Sequence, residues 1–502
     1  MTLLKNQIIK GTFILSAAGI ITRIIGFYYR IFLSRTIGAT GMGLYQMIFP
    51  VFGLCHSFAI MGIQMSISRF TSIRYSMNDR AGMYTVLKAG LFFSVILSVL
   101  SASLVYFFSD FIAIHLLDEI RCGVLLRVIS FSIPACAVHA CICGYYLGQK
   151  KASVSAFSQM IEPIVRVGGI YIIAMVLASK GQEPKPVIAC IGMIMGEVAS
   201  TLLSLCFLCT ERGFFFSKLT NVKNTVREMF NMTYPLTLNK LATSFLIAFE
   251  AVIIPISLKK SGLSADAAIS LYGTLTGMAM PFIMFPSTIT GSVSSMVMPS
   301  VAEYQSRGDY AHIGSTTSTI LKYCLSIGIF CTGYFYIYGT RLGEIFFHSS
   351  DAGLFISILA WLCPFMYVNV TLTGILNGMG ETKTTFINSI ISTVLRLCFI
   401  IFIVPLTGIK GCLMGVLAGQ MLCTLLDIIA VYKRVHFKYD TFAYIIKPLF
   451  MTLLSLGISL SFLRLFDMYN FNGALSVILA MISGGCFSYI CTCRRKKRYV
   501  IP

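Results

Sequence analysis

Charge is what this 502-residue chain has least of: Asp, Glu, Lys and Arg make up 12% of it, about half the share found in soluble domains. A surface facing water on all sides cannot be built from so little, which excludes an ordinary soluble fold. Acidic residues are the scarcer sign, 19 against 39 basic, for a net charge of +20. Strict alternation of apolar and polar residues is also missing, which excludes a membrane β-barrel. No GxxxxGK[ST] occurs, and GMGETKT at 378–384 has no strand before it, so a phosphate-binding loop and direct coupling to nucleotide hydrolysis are excluded. HExxH, a nucleophile elbow and a paired-carboxylate constellation are absent as well, so the chain does not read as an enzyme, and it calls for no metal or other cofactor.

What the chain has in quantity is apolar sequence. Hydrophobic residues reach 57% and mean hydropathy is +0.83. Runs of ~20 apolar residues recur along the whole length, each long enough to cross a bilayer as a helix. Fourteen spans are expected, at approximately 11–33, 43–68, 83–108, 122–147, 155–178, 187–210, 232–258, 268–298, 317–340, 352–377, 386–406, 411–432, 442–463 and 472–492. The first run follows Lys5 and Lys10 as a signal peptide would, but Arg23 interrupts it and no small-residue cleavage site closes it. The 17 cysteines are scattered singly through the runs and need no disulfide framework. The close groups His139, Cys141, Cys143 and Cys491, Cys493 read as helix packing rather than metal ligands.

Loop charge orients the spans. With the N-terminus in the cytoplasm, the inner segments hold 21 Lys and Arg, including Arg69, Arg74, Lys150, Lys151 and the 494–498 tail, against 9 in the outer turns. That asymmetry follows the positive-inside rule and places both termini in the cytoplasm. It also accounts for most of the net charge through anionic headgroups, without nucleic acid.

A long internal period divides the chain. Pro134, Gly144, Gly148 and Arg166 recur 230 residues later as Pro364, Gly374, Gly378 and Arg396, and Asp79 recurs as Asp309. Each stretch reads as an apolar helix, a Gly-bounded turn and a second helix with an arginine inside it. Such a period marks a duplicated fold, and duplication in a membrane protein points to a transporter with its site between the repeats. Spans 1–6 (residues 1–215) and 7–12 (216–440) form the copies. Six is even, so the copies share one orientation, and residues 441–502 hold an appended pair of spans with a basic tail. The expected fold is therefore an all-α integral membrane protein with 14 transmembrane helices, in which two parallel six-helix repeats form two lobes around a central cavity.

Ten ionisable residues remain inside spans: Arg23, Arg30, Arg127, Glu162, Arg166, Glu197, Lys240, Glu250, Arg396 and Asp427. Each costs roughly 2.5–3.5 kcal/mol or more at a helix centre, so each must face protein or water. Gly19, Arg23, Gly26 and Arg30 form one helical stripe, and Ser155, Gln159, Glu162 and Arg166 form another. Arg166 either lines a cavity or is neutralised by Glu162 one turn away; Arg30 either joins it or reaches the outer interface. Arg127 and Asp427 read as helix-to-helix hydrogen-bonding residues. The first two spans hold no acid to pair with Arg23, which favours a cavity position for it. Six basic against four acidic residues leave the membrane interior positive, which suits an anionic substrate and phosphate in particular. Arg23, Arg30, Arg166, Lys240 and Arg396 are the candidate substrate-binding residues, supported by Gln159, Glu162, Glu250 and Asn377.

These residues carry a resemblance. The opening KGTFILSAAGIITRIIGFYYRIFLSRTIGATGMGLYQ, then AIMGIQMSISRF, GYYLGQKKASVSAFSQMIEPIVRV, FPSTITGSVSSMVMPSVAEYQSRGD and LNGMGETKTTFINSIISTVLR resemble, in order and over essentially the full length, the polysaccharide-transporter branch of the multidrug/oligosaccharidyl-lipid/polysaccharide exporter superfamily. Within it the chain is similar to sporulation-associated relatives of the lipid II flippases. The resemblance implies a two-lobed bundle that rocks between inward- and outward-open states and carries an undecaprenyl-pyrophosphate-linked sugar across the bacterial cytoplasmic membrane. Arg23 matches the first-span arginine that the lipid II flippases use near the pyrophosphate. Arg30 is displaced by one residue from their second, and their acidic residue after span 1 has no counterpart here. Spans 13 and 14 would match the pair that holds the polyprenyl tail. A lipid-linked oligosaccharide, anionic membrane lipids and cell-wall synthases are the expected partners. Competing readings are export of another lipid-linked glycan, a cation-coupled multidrug exporter, which would want an acidic cavity and twelve spans, and a scaffold that recruits wall enzymes.

Overall fold

The computed structural model describes residues 2–211, 213–216, 219–437, 439–468, 479 and 481–483. Among them every regular element is helical, as hydrocarbon demands of a spanning chain, because each backbone N–H and C=O must find its partner within its own segment. Twelve helices are long and apolar enough to cross a membrane. The first of them covers 60 residues, ~90 Å at the α-helical rise, three times the hydrocarbon thickness. Gly38 folds it: φ of 69° and ψ of −179° belong to no straight helix, and Tyr29 and Tyr45, on opposite sides of that glycine, both lie beside Arg166. Counting this helix twice, the described residues hold thirteen of the fourteen expected spans. The last, 472–492, lies almost wholly outside the described residues.

The chain groups into two compact units, Met1–Gly273 and Thr274–Pro502. The first contains α1 (Thr2–His56), α2 (Gly62–Ser76), α3 (Arg80–Phe107), α4 (Cys122–Ser130), α5 (Ser132–Gly148), α6 (Ala152–Ser179), α7 (Val187–Cys209), α8 (Val222–Lys260) and α9 (Ala265–Gly273). By packing, this unit reaches beyond the first sequence copy. Helix α8 is tied to α2 and the turn before it by Arg74 to Thr225 at 2.9 Å, Ser66 to Thr233 at 2.7 Å and Ser57 to Ser244 at 2.6 Å. The second unit contains α10 (Ser287–Ser306), α11 (Tyr310–Phe347), α12 (Ser350–Leu359), α13 (Cys363–Gly378), α14 (Thr382–Cys398), α15 (Ile409–Arg434) and α16 (Lys447–Met468).

Local sequence explains the shared architecture of the copies. Asp79 caps α3 by accepting from Gly82 N at 2.8 Å, and Asp309 caps α11 by accepting from His312 N at 3.1 Å. In the first core, Ile142, Tyr145 and Tyr146 of α5 pack with Ile63, Ile67 and Val86; their counterparts Leu372, Ile375 and Leu376 pack with Val301, Ile313 and Leu321. Lipid offers apolar side chains as good a home as protein does, so these helices are held by close approach and interhelical hydrogen bonds. At Gly148 a Cβ would lie 2.6 Å from the Ser68 carbonyl oxygen, and at Gly378 it would lie 2.6 Å from that of Met298. Only glycine admits α5 so close to α2, and the second unit repeats the device.

Candidate functional site

The close seat of α5 on α2 puts the open face of α2 beside a cavity within the first unit. The cavity holds about 630 Å³ and is lined by Gln64, Ser68, Arg69 and Ser72 of α2, the α5 backbone at Gly144 and Gly148, and Met232 and Lys240 of α8. Gln64, Ser68 and Ser72 are spaced by four, so they form one polar stripe along the helix, and Arg69 sits at its edge. Arg69 Nη1 touches the Met232 sulfur at 3.7 Å. Neither Arg69 nor Lys240 has an acidic partner among the described residues. Two cations without an acidic partner stand on a largely apolar hollow whose neutral polar groups are the Gln64 amide and the Ser68 and Ser72 hydroxyls. Electrostatically, such a site suits an anion.

The other residues singled out by sequence are placed as follows. Arg23 is exposed on the first arm of α1 and makes no ion pair among the described residues. Arg30 lies near Tyr29, Tyr45 and Arg166. Arg166 is bound to Glu162 one turn back on α6, with its guanidinium 6.0 Å from the Tyr29 ring centroid. The two side chains are 18% and 24% exposed, so this pair sits inside the helical bundle. Gln159 is exposed, whereas Glu250 is buried and engaged. In the second unit, Arg396 donates to Thr393 Oγ at 3.4 Å, and Asn377 Oδ1 accepts from Thr385 at 3.3 Å. Arg127 binds Asp110 and Ser109. Asp427 accepts from Asn369 and Asn388, each at 2.8 Å, and from Thr373 at 3.4 Å.

Sequence reasoning missed Arg69. A span ending at residue 68 leaves Arg69 in the loop that follows, but α2 continues to Ser76, which carries Arg69 into the helical face that lines the cavity. The signal lay in the four-residue spacing of Gln64, Ser68 and Ser72, a polar stripe that a lipid-facing helix would not carry. The second copy carries Pro299 at the position of Arg69, so the cation belongs to the first unit alone.

Some 20 residues beyond Lys240 along α8, ~30 Å at the helical rise, Lys259 Nζ meets Asp118 Oδ2 at 2.9 Å and its carbonyl oxygen at 2.7 Å. Beside it, Arg121 binds Glu119 at 2.6 Å and Asp266 at 2.7 Å. Burial works against the charged form of Glu119, but the Arg121 guanidinium and backbone N–H outweigh it and hold this carboxyl below its ordinary range. The ion pairs tie the segment before α4 to the end of α8 and the start of α9.

Duplicated helices, twelve of them long and apolar enough to cross a membrane, and a cation-lined hollow define a polytopic membrane protein of transporter architecture. The family model described as "Polysaccharide biosynthesis protein" matches residues 8–305, and the chain belongs to that family. It is 28% identical to stage V sporulation protein B of Bacillus subtilis (strain 168), over 86% of this chain and 84% of that protein. It is 22% identical to the lipid II flippase MurJ of the same organism, over 97% and 95% of the two chains. Among solved structures, it is similar to lipid II flippase MurJ in an inward closed conformation, with a TM-score of 0.73 at 15% identity over 96% of this chain and 99% of that one. An inward-facing multidrug resistance MATE family transporter of the MOP superfamily matches with a TM-score of 0.69 at 13% identity, over 82% and 94%. The fold is that of the MOP superfamily.

Proposed function

We propose that the chain is a flippase that moves an undecaprenyl-pyrophosphate-linked cell-wall precursor, a peptidoglycan unit such as lipid II made during spore formation, across the bacterial cytoplasmic membrane. The observation that carries this reading is the pair of uncompensated cations, Arg69 and Lys240, on a cavity of about 630 Å³. Both cations are exposed on the cavity, where intramembrane charges commonly mark substrate pathways, and a pyrophosphate supplies two charges and many acceptor oxygens. The names of the two curated relatives support the same reading.

In this reading Lys240 and Arg69 take the pyrophosphate, Arg23 serves its entry along α1, Arg30 and Arg396 hold the lobes' interior positive, and Arg166 acts toward the substrate as part of its pair with Glu162. Gln159, Glu162, Glu250 and Asn377 support them. Residues 1–215 and 216–440 are the lobes that rock in alternating access, residues 441–502 carry the lipid tail and the basic end, and both termini face the cytoplasm. Anionic lipids then surround the basic inner loops, and cell-wall synthases receive the product.

The test is translocation of fluorescent lipid II in proteoliposomes, read by quenching from outside. A charge-assisted hydrogen bond is worth about 1.5–3 kcal/mol, so Arg69→Ala and Lys240→Ala should each slow translocation by roughly ten- to a hundredfold, with Lys240→Arg retaining most of the rate. Wild-type rates in both alanine variants would overturn the assignment. The family's polysaccharide description favours a second reading, another lipid-linked glycan. Depletion in the native cell separates the two by which intermediate accumulates on the inner leaflet.

A further inference from the structure

The two copies can be compared hydrogen bond by hydrogen bond. Thr201 on α7 donates to the Ala135 carbonyl at 2.8 Å, and Thr424 on α15 donates to the Phe365 carbonyl at 3.0 Å. Ala135 and Phe365 stand 230 residues apart, but Thr201 and Thr424 stand 223 apart. The offset shortens because the connection of residues 180–186 shrinks to Gly408 in the second copy. With this register, Ser158 and Ser204, bonded at 3.0 Å, correspond to Asn388 and Asp427, bonded at 2.8 Å. His139 corresponds to Asn369, and Glu197 to Gln420. Each unit thus carries one buried carboxylate in this polar core, the two displaced by seven residues along the same face of equivalent helices.

Their surroundings differ in kind. Both oxygens of Asp427 are met by neutral donors from α13 and α14, a fixed and satisfied site. Glu197 is 5% exposed, and its Oε2 meets no donor. His139 Nδ1 lies 4.0 Å from that oxygen. The imidazole is itself 7% exposed, and its Nε2 has no partner. Ser200 Oγ stands 3.4 Å from Nδ1. The groups facing the pair from neighbouring helices are Cys136 of α5 and the bound Glu162–Arg166 pair of α6, with Tyr29 and Tyr45 of α1 beyond Arg166; on α4, Arg127 is taken by Asp110. The nearest cation is therefore already committed to another carboxylate. An orphaned buried acceptor costs about 1–3 kcal/mol. A proton taken up by the pair removes that cost at Glu197, with His139 Nδ1 the facing polar atom at 4.0 Å.

We propose that Glu197 and His139 form a proton-binding site in the first unit, loaded and unloaded in each transport cycle, with no equivalent in the second. Ser200 faces His139 Nδ1, Ser204 Oγ donates to the Ser200 carbonyl at 2.8 Å, and Ser158 Oγ bonds Ser204 Oγ at 3.0 Å, so polar groups continue from this pair along α7 and α6. Only the use of the proton in transport rests on the flippase reading; the binding site itself does not.

The test has two arms, both on the full chain in proteoliposomes. First, infrared difference spectra between acid and alkaline buffer should show a protonated-carboxyl stretching band that disappears in Glu197→Gln, shifts in His139→Asn and persists in Asp427→Asn. Absence of the band in wild type, or its survival in Glu197→Gln with the fold intact by circular dichroism, would overturn the site. Second, an imposed pH gradient should change the initial rate of fluorescent lipid II translocation several-fold in wild type and leave Glu197→Gln at its gradient-free rate. A gradient response equal in both proteins would overturn coupling. Failure of wild type to move lipid II at all would sink the substrate reading and leave the infrared result standing.

Discussion

Removing the Glu162 carboxylate leaves the Arg166 guanidinium inside the bundle without its bound partner, with the Tyr29 ring and the more distant Glu197 as its remaining neighbours. With side chains 18% and 24% exposed, the pair is far from a surface ion pair of ~0–1 kcal/mol. Breaking a buried pair by removing one partner costs about 3–5 kcal/mol, whereas replacing both with neutral groups of similar volume is often neutral. The Tyr29 ring, with its centroid 6.0 Å from the guanidinium carbon, offsets part of the loss in Glu162→Gln by attracting the bare cation. That single variant should therefore fall at the low end of the range and Arg166→Met at the high end. The double variant Glu162→Gln/Arg166→Met should lie close to wild type, giving a coupling energy of roughly 8 kcal/mol, the sum of the two single losses. SDS titration of the purified protein measures all four corners of the cycle. Single losses that simply add would refute the claim that the two charges are held for one another. Translocation measured on the stable double variant then reads the second role of Arg166. A folded double variant that has lost transport shows that its charge also serves the substrate.

Two further outcomes follow from the packing and from the outlying ion pairs. Gly148→Val should destabilise by about 1–3 kcal/mol through overpacking, because its Cβ would lie 2.6 Å from the Ser68 carbonyl oxygen. Gly378→Val should cost a similar amount, and a neutral result at either site in SDS titration would disprove the close seat. Glu119 is held below its ordinary range in the folded chain, so its stabilising contribution is full above the unfolded carboxyl value and is lost as pH falls through the folded one. Unfolding midpoints should decline from neutral toward acid pH with a slope that shrinks in Glu119→Gln, and an unchanged slope would contradict the assignment.

Class, span positions and duplication were legible in the chain because each depends on short-range composition. Twenty apolar residues cross hydrocarbon whatever their neighbours are, and a capping aspartate or a seating glycine recurs at its offset in the text itself. Arg166 shows where that legibility stops. Its spacing from Glu162 allowed either a cavity ligand or a neutralised pair, and the helical contacts chose the pair. Arg69 and Lys240 show the complement. They lie 171 positions apart, on helices whose meeting depends on the Ser66–Thr233 and Arg74–Thr225 bonds, so no local pattern could have joined them. The amino-acid order by itself determined that cations would sit inside a membrane, since lipid cannot solvate them and their number is plain to count. Only tertiary packing decided which cations keep a carboxylate and which stand open to an anion, because that depends on distances between segments far apart in the chain.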